Sequence, residues 1–152
     1  MKRSIKITGF VLVILFITIQ FLPRDRNELA AKPLNGIAKI YVVPDDVGAI
    51  LKRSCYDCHS NHTDYPWYAQ LQPIRLILDD HIRGGKAELN FDEFGNYTAR
   101  KRRSRLRAIS QSLDERSMPL SSYTLIHRNA ILSKEDKLTL ANWIKTIDNS
   151  GL

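Results

Sequence analysis

Hydrophobic and polar positions divide the chain into an N-terminal apolar stretch and a longer region of amphipathic segments. Residues 7–22 carry no charge and are almost wholly apolar, and three basic residues precede them. A stretch without a polar face is typical of a membrane helix or a signal peptide, not of a core helix. The bulky residues at 19–22 provide no small residues for a cleavage site. We therefore expect residues 1–23 to form an uncleaved transmembrane helix, with a cleaved signal as the alternative.

The residues after this stretch divide into a linker and a domain. Residues 24–43 are mixed in polarity and contain Pro33, Asn35 and Gly36, which is typical of a tether. The remaining residues, 44–152, are enough for one small domain with its own core.

Four segments of this domain place apolar residues at helical spacing, which predicts amphipathic helices. Pro73 can begin the second helix, Gly84-Gly85 is expected to end it, and Ser133 marks the start of the last. We expect the first and last helices to pack against each other. The four predicted apolar stripes are Val47, Ile50 and Leu51; Ile74, Ile77, Leu78 and Ile82; Leu106, Ile109 and Leu113; and Leu140, Trp143, Ile144 and Ile147.

The candidate chemistry lies in Cys55-Tyr56-Asp57-Cys58-His59, where a histidine directly follows two cysteines spaced by two residues. This is the attachment sequence for a c-type haem. Two thiols at this spacing can reach the two vinyl groups of one porphyrin, and the adjacent imidazole can bind the iron as its proximal ligand. The sequence therefore predicts one covalent haem c held by Cys55, Cys58 and His59.

Other interpretations of the two cysteines are weaker. A redox-active Cys-x-x-Cys normally accompanies a strand-helix-strand pattern, and the flanks here are helical and loop-like. A structural zinc ion needs four protein ligands, and His62, His81 and His127 are scattered without the spacing of a zinc finger. A plain disulfide describes the pair before haem arrives, in an oxidising compartment.

The sixth ligand of the iron has three candidates. Met118 precedes Pro119 on a loop between two predicted helices, from which its sulfur could reach the iron on the face opposite His59; a core methionine is the alternative. His81 lies on an apolar helical face, where a core role or a contact with haem is favoured over iron ligation. His127 is the third candidate.

The net charge of +7 is concentrated in two places, Lys2 to Lys6 and the run from Arg100 to Arg107. Basicity this local, without interleaved aromatic residues, does not favour a nucleic-acid partner. A run of like charge is usually a solvated face. Its functional alternatives are pairing with haem propionates and docking of an acidic redox partner or anionic lipid.

The domain resembles a small haem-binding domain family related to the class I c-type cytochromes of bacterial exported proteins. This resemblance implies an all-α, cytochrome c-like fold around the haem, with His59 as proximal ligand and Met118 as the distal candidate. It covers roughly residues 44–147 and rests on Cys-x-x-Cys-His at 55–59, His81 with Gly85, Leu89-Asn90-Phe91, Met118-Pro119 with Tyr123 and His127, and the helix from Leu132-Ser133 to Trp143.

These features predict a membrane-anchored c-type haem protein that transfers single electrons outside the cytoplasmic membrane, not an enzyme. The alternative is a haem-based gas or redox sensor, or an accessory subunit, with an open or weakly held sixth ligand. A peroxidase-like enzyme would need an open iron and a distal acid-base group, and nothing in the sequence favours it. We expect the N-terminus in the cytoplasm, the helix in the bacterial inner membrane and the haem domain in the periplasm. The sequence does not identify the redox partners, and the basic run would suit an acidic one.

Overall fold

The computed structural model describes residues 2–23, 26–28 and 33–149. Within these ranges the fold is all-α, as predicted, and the only strand-like feature is an isolated bridge between Glu28 and His62. The α-helices are α1 (Lys2–Ile19), α2 (Asp45–Ser54), α3 (Tyr56–His59), α4 (Ile74–Glu88), α5 (Ala99–Glu115), α6 (Ser121–Thr124) and α7 (Lys134–Asn149). Short 3-10 turns occupy Ile37–Lys39, Trp67–Gln70, Phe91–Asn96 and Arg128–Ala130.

The core forms where α7 packs against both α2 and α5. Three of the predicted apolar stripes lie in it: α2 buries Leu51, α5 buries Leu106 and α7 buries Leu140, each 0 or 1% exposed. The start of α7 is a capping box, because the Asp136 backbone N–H donates to Ser133 Oγ and the Ser133 N–H donates to the Asp136 carboxylate. The predicted contact between the first and last helices of the domain is confirmed.

Helix α4 differs from its prediction at both its face and its end. It continues through Gly84-Gly85 to Glu88, so the expected termination was wrong. Glycine lowers helix stability by about 1 kcal/mol, which contacts with the rest of the fold can outweigh, and α4 packs closely on α3. Ile74 and Ile77 are 43% and 57% exposed, because that side of the helix borders a cavity and not the core.

Helix α1 does not support the predicted transmembrane span. Among the residues that the structure describes, no helix has both the length and the apolar character needed to cross a membrane. The helix has 18 residues, so at 1.5 Å per residue it is about 27 Å long, against roughly 30 Å of bilayer hydrocarbon. Its first two turns also include Arg3 and Lys6.

The segment expected to be a tether contributes to the domain. Ile37 and Tyr41 are buried in the core, so packing begins before the expected boundary at residue 44. Farther back, the Asn27 amide donates to the Ser60 carbonyl and to Thr63 Oγ1, which fixes this part of the segment beside the motif. The rest of the expected tether, residues 24–25 and 29–32, lies outside the described residues.

Candidate haem site

The Cys-x-x-Cys-His motif lies at the junction of two helices and borders two adjoining cavities. Cys55 directly follows α2, and α3 carries Cys58 and His59. One cavity has a volume of about 430 Å³ and extends toward α4 and α6. The other, of about 190 Å³, extends toward α5 and the core. The residues shared by both walls are Ser54, Cys55, His59, Met118 and Pro119.

The orientation of the His59 ring is fixed by two backbone carbonyls from the end of α4. Its Nδ1 lies 2.9 Å from the Gly85 oxygen and 3.0 Å from the Leu89 oxygen. Two acceptors at this nitrogen require that Nδ1 carries the proton. The unprotonated Nε2 is then the nitrogen that can bind a metal, and a backbone partner on the opposite nitrogen is the usual support of a metal-bound histidine.

Gly85 allows α4 to pack directly against the backbone of the motif. A Cβ at this position would lie 2.6 Å from the Cys58 carbonyl oxygen, which is closer than real Cβ contacts come. The neighbouring Gly84 has nothing within 4 Å of an added Cβ. Of the two glycines, Gly85 is therefore the one that packing requires. Its carbonyl also accepts the hydrogen bond from His59 Nδ1.

The two cysteines are free thiols whose surroundings do not activate them for redox exchange. Burial raises the pKa of Cys55 to about 12, with a further contribution from Cys58. Burial, with a smaller contribution from Asp57, raises the pKa of Cys58 to about 11. Reactive Cys-x-x-Cys pairs have a lowered pKa in at least one thiol, so these values argue against a thioredoxin-like role.

The three candidates for a sixth ligand occupy different places. Met118 lines both cavities together with His59 and is 39% exposed. His81 lines the larger cavity from α4. His127 lines neither: its Nε2 is 2.6 Å from the Tyr68 hydroxyl, and its ring stacks on Tyr123 at 4.2 Å. The geometry therefore brings Met118 and His81, but not His127, to the cavities that His59 lines.

A hydrogen bond connects the Met118 side of the cavity to the motif. The Tyr123 hydroxyl of α6 donates to Asp57 Oδ2 at 2.5 Å. Burial and this hydrogen bond raise the pKa of Tyr123. The sequence placed Asp57 in the motif and Tyr123 in the family resemblance, but no pattern in the sequence paired them.

The walls of the larger cavity fit a large apolar group. Besides the motif, they consist mainly of aliphatic residues from α4 and from the 118–126 segment, many of them partly exposed. No group of three or more His, Cys, Asp or Glu side chains among the described residues could hold a metal ion. A haem iron needs only one or two protein ligands, so the chemistry of this donor set fits a haem. The aliphatic wall residues are Ile74, Ile77, Leu78, Leu120 and Ile126.

Comparison with known families agrees with this fit. A family model described as a haem-binding domain matches residues 14–146, which is most of the chain. Comparisons with curated proteins and with solved structures gave no significant match. The matched range includes both cavities and every residue that contacts His59 Nδ1. The chain therefore belongs to the haem-binding domain family.

Proposed function

We propose that this protein is a c-type cytochrome that transfers single electrons, with haem bound covalently through Cys55 and Cys58 and its iron bound by His59 Nε2. The observation that carries the proposal is the pair of hydrogen bonds from His59 Nδ1 to the Gly85 and Leu89 carbonyls. They present the other ring nitrogen for a metal, next to two thiols in a largely apolar cavity.

The thiols form the covalent attachment. With haem present, each S–H would add across one vinyl group, so that a carbon–sulfur bond would form and the thiol hydrogen would pass to the other vinyl carbon, with no external oxidant. Cys55 and Cys58 both line the larger cavity, where the thiols can meet one macrocycle. Attachment at two points keeps the cofactor in a small domain that has few residues to cover it.

Once the haem is attached, the protein residues tune the cofactor and take no part in the electron transfer as reactants. When bound, haem supplies an iron that alternates between ferrous and ferric states. His59 supplies a ligand made more basic by its two backbone partners. Aliphatic residues such as Ile77 and Leu78 would pack against the macrocycle, and Met118, which lines both cavities with His59, would be the residue best placed to supply the second iron ligand.

The cellular location follows from the attachment chemistry. Haem is attached to such motifs on the exported side of the cytoplasmic membrane, so we place the domain there. Apolar residues along α1, such as Phe10 and Phe16, are at least half exposed and could hold the chain at a membrane surface. Full recovery of the protein in the soluble fraction after lysis in low-salt buffer would rule out this attachment but leave the haem assignment intact.

The redox partner is proposed to be an acidic protein. Arg100, Lys101, Arg103 and Arg107 on α5 are exposed and give this surface a positive charge. Complementary charge accelerates encounter and weakens with salt. No nucleic acid is proposed as a partner.

The function is tested by optical spectroscopy and redox titration of the full chain, exported in a bacterial host that attaches haem to such motifs. A reversible one-electron couple with a low-spin spectrum in both states would support electron transfer. A protein that purified without haem would overturn the proposal.

A gas sensor is the second candidate, and one observation favours it. Met118 is 39% exposed, so it could be a weakly held sixth ligand. Rapid binding of carbon monoxide by the reduced wild-type protein would favour the sensor, because a firmly held methionine blocks the iron.

A further inference from the structure

Arg105 differs from the other basic residues of α5 in where its side chain lies. It lines the smaller cavity, whereas the remaining five members of the run line neither of the two cavities in the described structure. Its side chain is 26% exposed, and one terminal nitrogen donates to Glu88 Oε2 at 2.9 Å. The Nε atom is inaccessible to solvent and has no hydrogen-bond partner among the described residues.

An unpaired donor of this kind is unfavourable. A buried donor left without an acceptor destabilises the fold, and more so when the group is charged. The residues around it offer few acceptors, because that cavity is walled chiefly by apolar side chains such as Leu89, Phe91 and Leu113. Because solvent does not reach Nε, an occupant of the cavity would meet Arg105 through the rest of its guanidinium, and Arg105 is the only lysine or arginine among the described residues that line this cavity.

The chemistry of the donor indicates which acceptor fits. A guanidinium presents its N–H groups in a planar fork that matches a carboxylate. The anionic groups of a haem are its two propionates, which are carboxylates on the edge away from the vinyl groups. Ser54, Cys55 and His59 border the same cavity as Arg105, so the cofactor held by the motif would share one space with its guanidinium.

We propose that Arg105 is the propionate-binding residue of this domain, with its guanidinium donating to a haem propionate while Glu88 holds one terminal nitrogen. This inference rests on the proposed haem c function. Glu88 is 74% exposed, so its charge is screened by solvent and it acts as a positioning residue. The rest of the basic run stays available to a partner protein.

The test compares Arg105→Gln with Arg103→Gln in the haem-loaded full chain. Both substitutions remove one positive charge from α5, but Arg103 is exposed and lines neither cavity. Loss of a cation paired with a propionate favours the ferric state. We expect Arg105→Gln to shift the ferric-to-ferrous equilibrium about tenfold toward ferric, which is about 59 mV lower in midpoint potential for one electron.

Repeating the potential measurements at high salt distinguishes a buried contact from a surface charge. The Arg105→Gln shift should persist in 1 M salt, where the screening length is about 3 Å, whereas any Arg103→Gln shift should vanish. Equal shifts for the two variants would overturn the proposal. A wild-type protein without haem would instead refute the proposed function itself.

Arg105→Lys keeps the test decisive if Arg105→Gln does not accumulate. Lysine retains the charge but lacks Nε and the planar fork, so its potential should fall between those of the wild type and the glutamine variant, and below that of Arg103→Lys. A potential for Arg105→Lys equal to that of the wild type would show that the guanidinium fork does not bind a propionate.

Discussion

The Tyr123 hydroxyl donates to the Asp57 carboxylate at 2.5 Å, joining α6 to the centre of the Cys-x-x-Cys-His motif across 66 residues of sequence. This bond also fixes the segment that carries Met118, five residues before Tyr123. The half-buried pair of Tyr123 and Asp57 therefore connects the cavity wall at Met118 to the motif.

Tyr123→Phe should lower the free energy of unfolding by about 1.5–3 kcal/mol, the usual contribution of a hydrogen bond to a charged group. Urea unfolding checks this value. Tyr41→Phe is the control, because the Tyr41 ring is also buried but its hydroxyl makes no hydrogen bond within the described residues. Equal effects of the two substitutions would contradict the role given to the Tyr123–Asp57 bond.

Gly85→Ala should destabilise the protein by about 1–3 kcal/mol, because the new methyl group meets the Cys58 carbonyl and forces α4 away from the motif. It should also weaken the contacts of His59 Nδ1. Gly84→Ala places the same methyl one residue earlier, where nothing lies within 4 Å, and should raise stability by up to about 1 kcal/mol through helix propensity. Thermal unfolding of the pair measures the difference, and a tolerated alanine at 85 would show that the close approach is not required.

The Asp136 carboxylate predicts a pH dependence of stability. Burial raises its pKa, but hydrogen bonds from Arg53 and Ser133 outweigh burial and hold the pKa below its ordinary value. A carboxyl with a lowered folded-state pKa stabilises the fold above its unfolded pKa of about 3.9, and this contribution is lost as the pH falls through the folded value.

Asp136→Asn should therefore lower the free energy of unfolding by about 1–3 kcal/mol at pH 6, with the deficit shrinking below about pH 4. Urea unfolding across that range measures it. Asp114→Asn, at an exposed position on α5, is the control and should change little. A deficit that stayed constant down to pH 2 would mean that the effect is not electrostatic.

The sequence predicted helices with strong apolar periodicity and missed features that depend on tertiary contacts. The stripes of α2 and α7 identify their buried faces because one side of each helix packs on the core. Gly84-Gly85 was expected to end α4, yet the helix continues to Glu88. Helix propensity describes only local preference, so it could not show that Gly85 contacts α3.

At the candidate site, too, the sequence pattern predicted the motif but not its tertiary contacts. The spacing of the motif predicted Cys55, Cys58 and His59 as haem-binding residues, and the structure places all three on the wall of the larger cavity. The partners of His59 Nδ1 are backbone oxygens 26 and 30 residues later, which no side-chain pattern encodes. A signal was available for one of them: a glycine within an apolar helical pattern often marks a close approach of the backbone.

The sixth-ligand prediction separates Met118 from His81. With methionine on the iron, the ferric protein should show a weak near-infrared band from sulfur-to-iron charge transfer. Met118→Ala should remove this band and open the iron to carbon monoxide, because the residue borders both cavities with His59. His81→Ala, a change on the wall of the larger cavity alone, should leave the band in place. The reverse pattern would transfer the distal role to His81, and high-spin spectra in the wild type and both variants would support the sensor.

Covalent attachment of haem through both cysteines is the central claim, and extraction of the mature full-length protein with acidified acetone tests it most directly. Because thioether bonds survive this treatment, the haem should remain with the protein, the intact mass should rise by one haem, and a pyridine haemochrome spectrum should show that both vinyl groups are consumed. Cys55→Ser or Cys58→Ser should leave one thioether or prevent maturation. Haem recovered in the acetone phase from the wild-type protein would contradict the account.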